Sequence, residues 1–475
     1  MAELTVDTPT ETPTELEARF QRLRQASRAL ALPDTHWRRS RLQALEAGIR
    51  AHGDALVAAV SQDFGHRSAH ETRLLELFPC LEATRHARRH LKRWMRPQRR
   101  PVSPWLWPAR ARVVLQPLGV VGIVVPWNYP VYLALAPLIG ALAAGNRVML
   151  KLSEHTPATS EALIRLLAEV FPSDEVVAVG GDVAVARVFT ALPWDHLLFT
   201  GSTGVGREVM RAAAERLTPV TLELGGKSPA IFGRDARWES AVERCLMGKL
   251  FNAGQTCIAP DYVLLPAGEE GRFVEIARRV VARRYPRMPA GADYSSIINA
   301  AQFQRLENLL AEARQRGASV TMLGEVDRPA RRLPLTLVQG LPEDCGLLRE
   351  EIFGPVLPLI GYASLDEAID HVNDRPRPLA LYYFGEDQHQ ADRVIRNTVS
   401  GGVAVNDALL QVAVEDLPFG GVGPSGMGEY HGREGFETFS KKKSVLYQSR
   451  FSTTRLLYPP YGRWADRIIS LMLRR

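Results

Sequence analysis

The chain has 475 residues, 46% of them apolar, and a formal charge of +7, which describes a folded globular protein of about three domain-sized units. Its four cysteines, Cys80, Cys245, Cys257 and Cys345, are too few and too scattered for a disulfide framework and form no Cys-x-x-Cys knuckle. A reducing compartment and no metal site are expected, and no apolar run is long enough to span a bilayer.

Residues 1–17 are rich in Thr, Glu and Pro, so they read as a disordered tail rather than a targeting signal, and a cytoplasmic location is expected. Apolar residues at three- and four-residue steps then predict helices over 16–30, 36–61 and 72–95. Much of the positive excess sits in 85–100 and in Lys441-Lys442-Lys443. Arg88, Arg89, Lys92, Arg93 and Arg96 fall at helical spacing near Trp94, as on a nucleic-acid-binding face. No binding motif surrounds them, and a solvated helix face is the commoner meaning of such a run. No nucleic-acid partner is expected; an anionic cofactor suits a mildly positive field better.

Pro97, Pro101, Pro104 and Pro108 break any helix, and 110–115 alternates as an edge strand might. From Val120 short apolar runs at 120–125, 147–152, 176–179 and 196–200 alternate with helical stretches at 131–144, 157–171, 183–192 and 205–217. Continuous apolarity means strands buried on both faces, hence a doubly wound parallel sheet of the nucleotide-binding kind. A second α/β block follows, with strands near 220–223, 229–232 and 262–265, helices at 237–251, 273–284 and 300–316, further strands to about 360, and a helix at 365–373. Residues 401–447, rich in glycine, read as loops and strands that pack elsewhere on the molecule or on a partner subunit. The last segment sets Ile468, Ile469, Leu471 and Met472 between arginines, a pattern suited to an anionic membrane surface or to a helix packed on the protein.

One stretch carries chemistry. Phe251-Asn252-Ala253-Gly254-Gln255-Thr256-Cys257 places a thiol on a loop past a helix that Gly254 can end in the left-handed conformation. A lone cysteine is more often a small buried hydrophobe. Its company matters: Glu223 lies between apolar residues before Gly225-Gly226, and Asn128 is flanked by turn-formers in Pro126-Trp127-Asn128-Tyr129-Pro130. Nucleophile, base and oxyanion donor are the set that carbonyl chemistry needs. Alternatively, Glu223 is a structural carboxylate satisfied by glycine amides, and Asn128 a turn residue.

Gly201, Ser202, Thr203, Gly204, Val205 and Gly206 follow a predicted strand and open a predicted helix, where free amides attract a pyrophosphate. Their spacing departs from Gly-x-Gly-x-x-Gly, and a plain tight turn is the competing reading. Lys151, ending an apolar strand, could hold ribose hydroxyls or phosphate, with Glu154 accepting from a ribose hydroxyl. Otherwise Lys151 is a surface lysine and Glu154 a helix-start carboxylate. Trp127, Tyr129, Tyr132 and Phe251 could line an aromatic funnel or belong to the core.

Pro126-Trp127-Asn128, Lys151-Leu152-Ser153-Glu154, Phe199-Thr200-Gly201-Ser202, Glu223-Leu224-Gly225-Gly226-Lys227, Gly254-Gln255-Thr256-Cys257 and Glu351-Ile352-Phe353-Gly354 resemble, in order, signature segments of the NAD(P)-dependent aldehyde dehydrogenases. Tyr430-His431-Gly432 and the compact N-terminus are similar to the class 3 branch, within which the coniferyl aldehyde dehydrogenases match best and the fatty aldehyde dehydrogenases are cousins. The resemblance implies Cys257 as nucleophile, Glu223 as general base and Asn128 as oxyanion donor. It also implies Lys151 and Glu154 at the adenosine ribose, Gly201 to Gly206 at the pyrophosphate, and Glu351 with Phe353 at the nicotinamide ribose, with auxiliary base as the competing role for Glu351. The implied fold is a Rossmann-variant NAD(P)-binding domain (18–95 and 115–224), a second α/β catalytic domain (225–402) and a small β oligomerisation arm (96–114 and 403–450), which favours a homodimer. The implied reaction oxidises an aromatic or medium-chain aldehyde with NAD or NADP. Alternatives are a fatty aldehyde enzyme touching the membrane through 451–475, and a non-catalytic binding protein on this fold. Gln411 departs from the histidine that relatives tend to carry there, which bears on substrate choice.

Overall fold

Three sheets organise residues 12–473, the part described by the structure, a computed structural model. The first sheet begins at its centre. Val120–Val124 pairs in parallel with Arg147–Lys151, which pairs with Val176–Val179. The chain then returns to the other side of the first strand, adding His196–Gly201 and Val220–Leu224. The strand order therefore reverses between Val120–Val124 and His196–Gly201, and open parallel sheets bind ligands at the carboxyl ends of such a pair. These strands are buried almost throughout, as their unbroken apolarity requires. Among the helices covering them, Tyr132–Ala144 is apolar on nearly every face and ends at Gly145 in the left-handed conformation.

Val220–Leu224 belongs to this first sheet, so the chain crosses to the second sheet only after Leu224. That second sheet has the order Ser319–Met322, Thr336–Gln339, Val356–Tyr362, Tyr262–Pro266, Pro229–Phe232, Ala380–Phe384, Gly402–Val405. All its pairings are parallel except the first. Helix Trp238–Leu250 lies between two of its strands in sequence, and the loop from it to Tyr262–Pro266 carries Cys257, which shares a cavity with Thr200 and Glu223 at the carboxyl edge of the first sheet.

The third sheet is antiparallel: Gln98–Arg100, Arg110–Pro117 and Ser440–Tyr447. Arg110–Pro117 is its central strand, not an edge. Most of its residues are half-buried on both faces, so it lacks the unbroken apolar run by which a central strand is recognised. The arm drawn from sequence as 96–114 and 403–450 divides among all three sheets. Gly402–Val405 completes the second, Gly426–Met427 pairs with Leu222 and Glu223 in the first, and helix Gly432–Thr438 packs on Tyr132–Ala144.

The tail assignment of 1–17 also needs correction, since a helix runs over Pro13–Ala29. Thr12 and Glu15 form a reciprocal capping box and Pro13 occupies the first turn, all strong helix-start signals. Residues 1–11 lie outside the described part. Arg85 and Arg88 of the basic run are paired with Glu46. At the other end, Arg463–Leu473 is helical and exposes Trp464, Leu471 and Leu473. No helix among the described residues is long and apolar enough to cross a membrane.

Candidate active site

The loop before Cys257 is held in an unusual shape. Helix Trp238–Leu250 stops four residues before Gly254, and Asn252, Ala253 and Gly254 then take positive φ values of 51°, 51° and 77°. Two non-glycine residues in that region carry strain, which persists only where the surroundings over-determine it. At Gly254 a side chain would also strike the Gly354 carbonyl. The surroundings are buried amides: Gln255 Nε2 donates to the Asn252 carbonyl (2.9 Å) and the Ser296 carbonyl (3.1 Å), and Gln255 Oε1 accepts from the Ile298 amide (2.9 Å). Asn252 Nδ2 donates to the main-chain oxygens of Asn128 (2.9 Å) and Gln255 (3.2 Å).

Asn128, Glu223 and Cys257 line one cavity of about 250 Å³, at the strand-order reversal of the first sheet. Gly201, Ser202, Glu351 and Phe353 line it too. Asn128 Nδ2 donates one hydrogen to the Gln255 carbonyl at 3.2 Å, which fixes the amide plane and leaves its second hydrogen available. Trp127 also faces the cavity and meets Phe353 edge to face at 5.3 Å. Phe353 has φ 50°, a third strained non-glycine position, this one on the cavity wall. Tyr129 and Tyr132 are buried and committed to Thr256 (2.7 Å) and His431 (3.0 Å), so those two aromatics are core groups rather than free lining.

The two carboxylates differ. Glu223 is 2% exposed, and neither of its oxygens has a hydrogen-bond partner among the described residues. Burial, reinforced by Glu429, pushes its pKa well above the usual carboxylate range. The double glycine does not satisfy it. Gly225 and Gly226 instead cradle Glu351: a side chain at Gly225 would collide with that carboxylate, and the Gly226 amide donates to it. Burial and then Asp261 push Glu351 up to about 8, against the opposing pull of the Gly226 amide, Lys227 and Arg305. Cys257 is partly exposed. Burial, followed by the charges of Glu351 and Glu223, raises its thiol, while the Cys257 and Ile258 amides pull the other way. The sulfur is packed behind and open to the cavity in front, which tempers that rise without reversing it. The resting group is a thiol, and attack requires a base to take its proton.

Helix Thr203–Ala214 starts directly after strand His196–Gly201, with Ser202 as its cap. Gly204 has nothing within 4 Å of the position a Cβ would take, whereas at Gly206 a Cβ would sit 2.6 Å from the Leu224 side chain. Gly206 thus serves close helix-to-sheet packing, while Thr203, Gly204 and Val205 form the open helix start. Lys151 is 2% exposed rather than a surface lysine; its Nζ donates to the Leu152 carbonyl (2.7 Å) and to Glu154 Oε2 (3.2 Å). Glu154 precedes helix Pro157–Val170 without capping it. Lys151, Glu154 and Thr203 to Gly206 lie beyond the lining of the Cys257 cavity, along the same sheet edge. The set fits a dinucleotide: a buried cation with an acidic neighbour at one end, open amides in the middle, and Glu351, one of whose oxygens has no partner among the described residues, beside the thiol.

Two residues of the cavity wall carried no readable signal. Gln302 and Arg305 line the cavity, and Arg305 holds the loop of Glu351 by donating to the Ile352 carbonyl at 2.6 Å. Gln411 lies behind the nucleophile: its Nε2 donates to Tyr382 Oη (3.2 Å), which donates to the Ile258 carbonyl (2.5 Å).

Comparison with known proteins identifies the family. The family described as "Aldehyde dehydrogenase family" matches residues 2–445. A "Probable coniferyl aldehyde dehydrogenase" of Pseudomonas aeruginosa is 52% identical over 455 residues, covering 96% of this chain and 95% of that one. The coniferyl aldehyde dehydrogenase of a Pseudomonas species is 44% identical over 466 residues, covering 97% and 96%. Among solved structures, the substrate-bound state of Staphylococcus aureus AldH has a TM-score of 0.92 at 36% identity, covering 96% and 99%. A Mycobacterium tuberculosis aldehyde dehydrogenase complexed with NAD+ has a TM-score of 0.85 at 28% identity, covering 94% and 92%. This chain belongs to the aldehyde dehydrogenase family and is an NAD(P)-dependent oxidoreductase.

Proposed function

We propose that the protein oxidises an aromatic aldehyde of the coniferyl type to its carboxylic acid, with Cys257 as nucleophile, Asn128 as oxyanion donor and Glu223 as base. The observation that carries the roles is that these three side chains share one cavity with Gly201, Ser202 and Glu351. The substrate class rests on the names of the relatives at 52% and 44% identity.

In this mechanism the Cys257 sulfur bonds to the aldehyde carbon as its proton leaves to a base, giving a thiohemiacetal. The free hydrogen of Asn128 Nδ2 and the Cys257 main-chain amide stabilise the oxyanion, each worth about 3 kcal/mol. Bound NAD(P)+ supplies the acceptor for the hydride that this carbon gives up. The Cys257 thioester that remains is cleaved by water whose proton passes to Glu223, and acid and thiol are released. A raised pKa suits Glu223 to that task because the ionised form, once made, is a strong base. Lys151 and the amides at Thr203 to Gly206 would hold the adenosine side of the cofactor, and Glu351 the ribose nearest the thiol.

We expect a cytoplasmic homodimer, with the open edges of Gly402–Val405 and Ser440–Tyr447 as the candidate contact. A second reading adds peripheral contact with an anionic membrane, favoured by exposed Trp464, Leu471 and Leu473 beside Arg463 and Arg467. Sedimentation with acidic liposomes reads it out.

The test of the main proposal is NADH and NADPH formation across aromatic, medium-chain and long-chain aldehydes. An optimum on long-chain substrates overturns the substrate class. For Glu223→Gln, acylation proceeds and the enzyme gains the mass of one acyl group after a single turnover; hydrolysis at the wild-type rate overturns the role of Glu223.

A further inference from the structure

Arg67, Glu71 and Glu76 are buried in the N-terminal helical layer and do not line the catalytic cavity. Such groups are weak evidence for stability, because hydrophobic replacement of a buried ion pair is often neutral or stabilising. Their hydrogen bonds point elsewhere. Arg67 Nη1 donates to Glu76 Oε1 at 2.8 Å and to the main-chain oxygen of Asn128 at 3.2 Å. The second oxygen of Glu76 accepts from the amides of Val131 (2.7 Å) and Tyr132 (3.0 Å). The pair therefore grips the Asn128 turn at both ends. Glu71 Oε2 accepts from the Asn252 amide (3.1 Å) and the Ser295 hydroxyl (2.9 Å), bracing the strained loop before Cys257. Asn252 closes the circuit through its bond to the Asn128 oxygen.

The local backbone fits this task. Residues five apart on an α-helix are rotated by about 140° and cannot share a face. Between helices Ala69–Thr72 and Phe78–Trp94 the chain makes one wide turn, Arg73–Leu77, of the π type. That turn adds a residue, so Glu71 and Glu76 both reach inward while Leu74 stays exposed. Single π turns inside α-helices are frequent at functional sites.

We propose that Arg67, Glu71 and Glu76 are positioning residues, which set the Asn128 amide against the Cys257 loop through main-chain hydrogen bonds at residues 128 and 252. This rests on the reading of Asn128 as oxyanion donor. The experiment compares Arg67→Lys, Glu71→Gln and Glu76→Gln in wild-type and Asn128→Ala backgrounds. The readouts are steady-state kinetics with cinnamaldehyde and NAD, the Kd for NADH, and thermal unfolding. Folded single variants lose kcat on the order of 10²-fold, the cost of misplacing a reacting geometry, while the Kd for NADH stays within about twofold. In the Asn128→Ala background, Arg67→Lys and Glu76→Gln add little further loss, because groups that act through one partner are not additive. Equal losses of Arg67→Lys and Glu76→Gln in both backgrounds, an unchanged kcat, or a parallel loss of NADH affinity overturns the proposal. The glutamine variants keep shape and an acceptor, so they carry the test if Arg67→Lys does not fold. Full activity of Asn128→Ala by itself would instead remove the oxyanion reading, leaving the effect of Glu71→Gln on kcat to judge the bracing of the Cys257 loop.

Discussion

The two ends of the site are built to opposite rules. Around Cys257 the backbone is strained and tied down: Asn252 and Ala253 sit at positive φ, and Asn128, Gln255 and Asn252 exchange hydrogen bonds out of contact with water. Around Gly201 to Gly206 the helix start lies open, with nothing near the place a Gly204 side chain would occupy. On the proposed roles, one end holds a sulfur and an amide at fixed positions against a reacting carbon, a task that buried polar groups suit. The other would admit and release a large anionic ligand, which open amides and space suit. Rigidity and openness then follow from the proposed roles.

Removing the sulfur breaks the comparison most directly. In Cys257→Ala the rigid end loses its function and the open end keeps its own, so aldehyde turnover falls to background while NADH still binds with a Kd within about twofold of wild type, measured by fluorescence titration. Turnover that survives the substitution would move the nucleophile elsewhere.

A smaller effect separates the two carboxylates between these ends. The folded pKa of Glu351 is about 8 against an ordinary value of 4.5. Between those values the folded protein keeps a proton that the unfolded chain has released. The stability associated with this group is therefore full below about pH 4.5 and declines as pH rises towards 8, by at most about 1.4 kcal/mol per pH unit. Glu351→Gln, neutral in both states, lacks this slope. Urea unfolding at pH 5.5 and at pH 8 should show the variant gaining on wild type at the higher pH; Glu223 contributes the same sign to both proteins and cancels. Equal differences at the two pH values would mean that Glu351 is already ionised in the folded state.

Local signals survived into the structure and relational ones did not. The parallel sheet was legible because strands buried on both faces must be apolar throughout, and the helix start after Gly201 because it depends on adjacent residues. The start of the first helix was equally legible in Thr12-Pro13-Thr14-Glu15, but the polar composition of 1–17 masked it. Glu351 over Gly225 joins residues far apart in the chain, and nothing in either segment announces that the double glycine serves Glu351 rather than Glu223. Arg67 and Glu71 fall between the predicted helices and Glu76 within one, and charge ordinarily means exposure; the inward placement of both glutamates depends on a π turn that apolar periodicity does not report. The arm was misdrawn for a similar reason, since strands as short as Gly426–Met427 are defined by the partner they pair with.

The smallest effect distinguishes two glycines of one turn. At Gly206 a methyl group would stand 2.6 Å from the end of the Leu224 side chain, next to Glu223, so Gly206→Ala forces that leucine aside and costs about 1–3 kcal/mol. At Gly204 a methyl meets no protein atom within 4 Å, and alanine is the better helix former by up to about 1 kcal/mol. Gly204→Ala should therefore unfold at the same or a slightly higher temperature while its KM for NAD rises, because the methyl stands where the backbone would approach a pyrophosphate. Gly206→Ala should show the reverse balance, with lower stability and a KM for NAD that changes less. If Gly204→Ala leaves that KM unchanged, the open space beside the helix start is not where the cofactor's phosphates lie, and the contrast between a rigid and an open end loses its functional meaning.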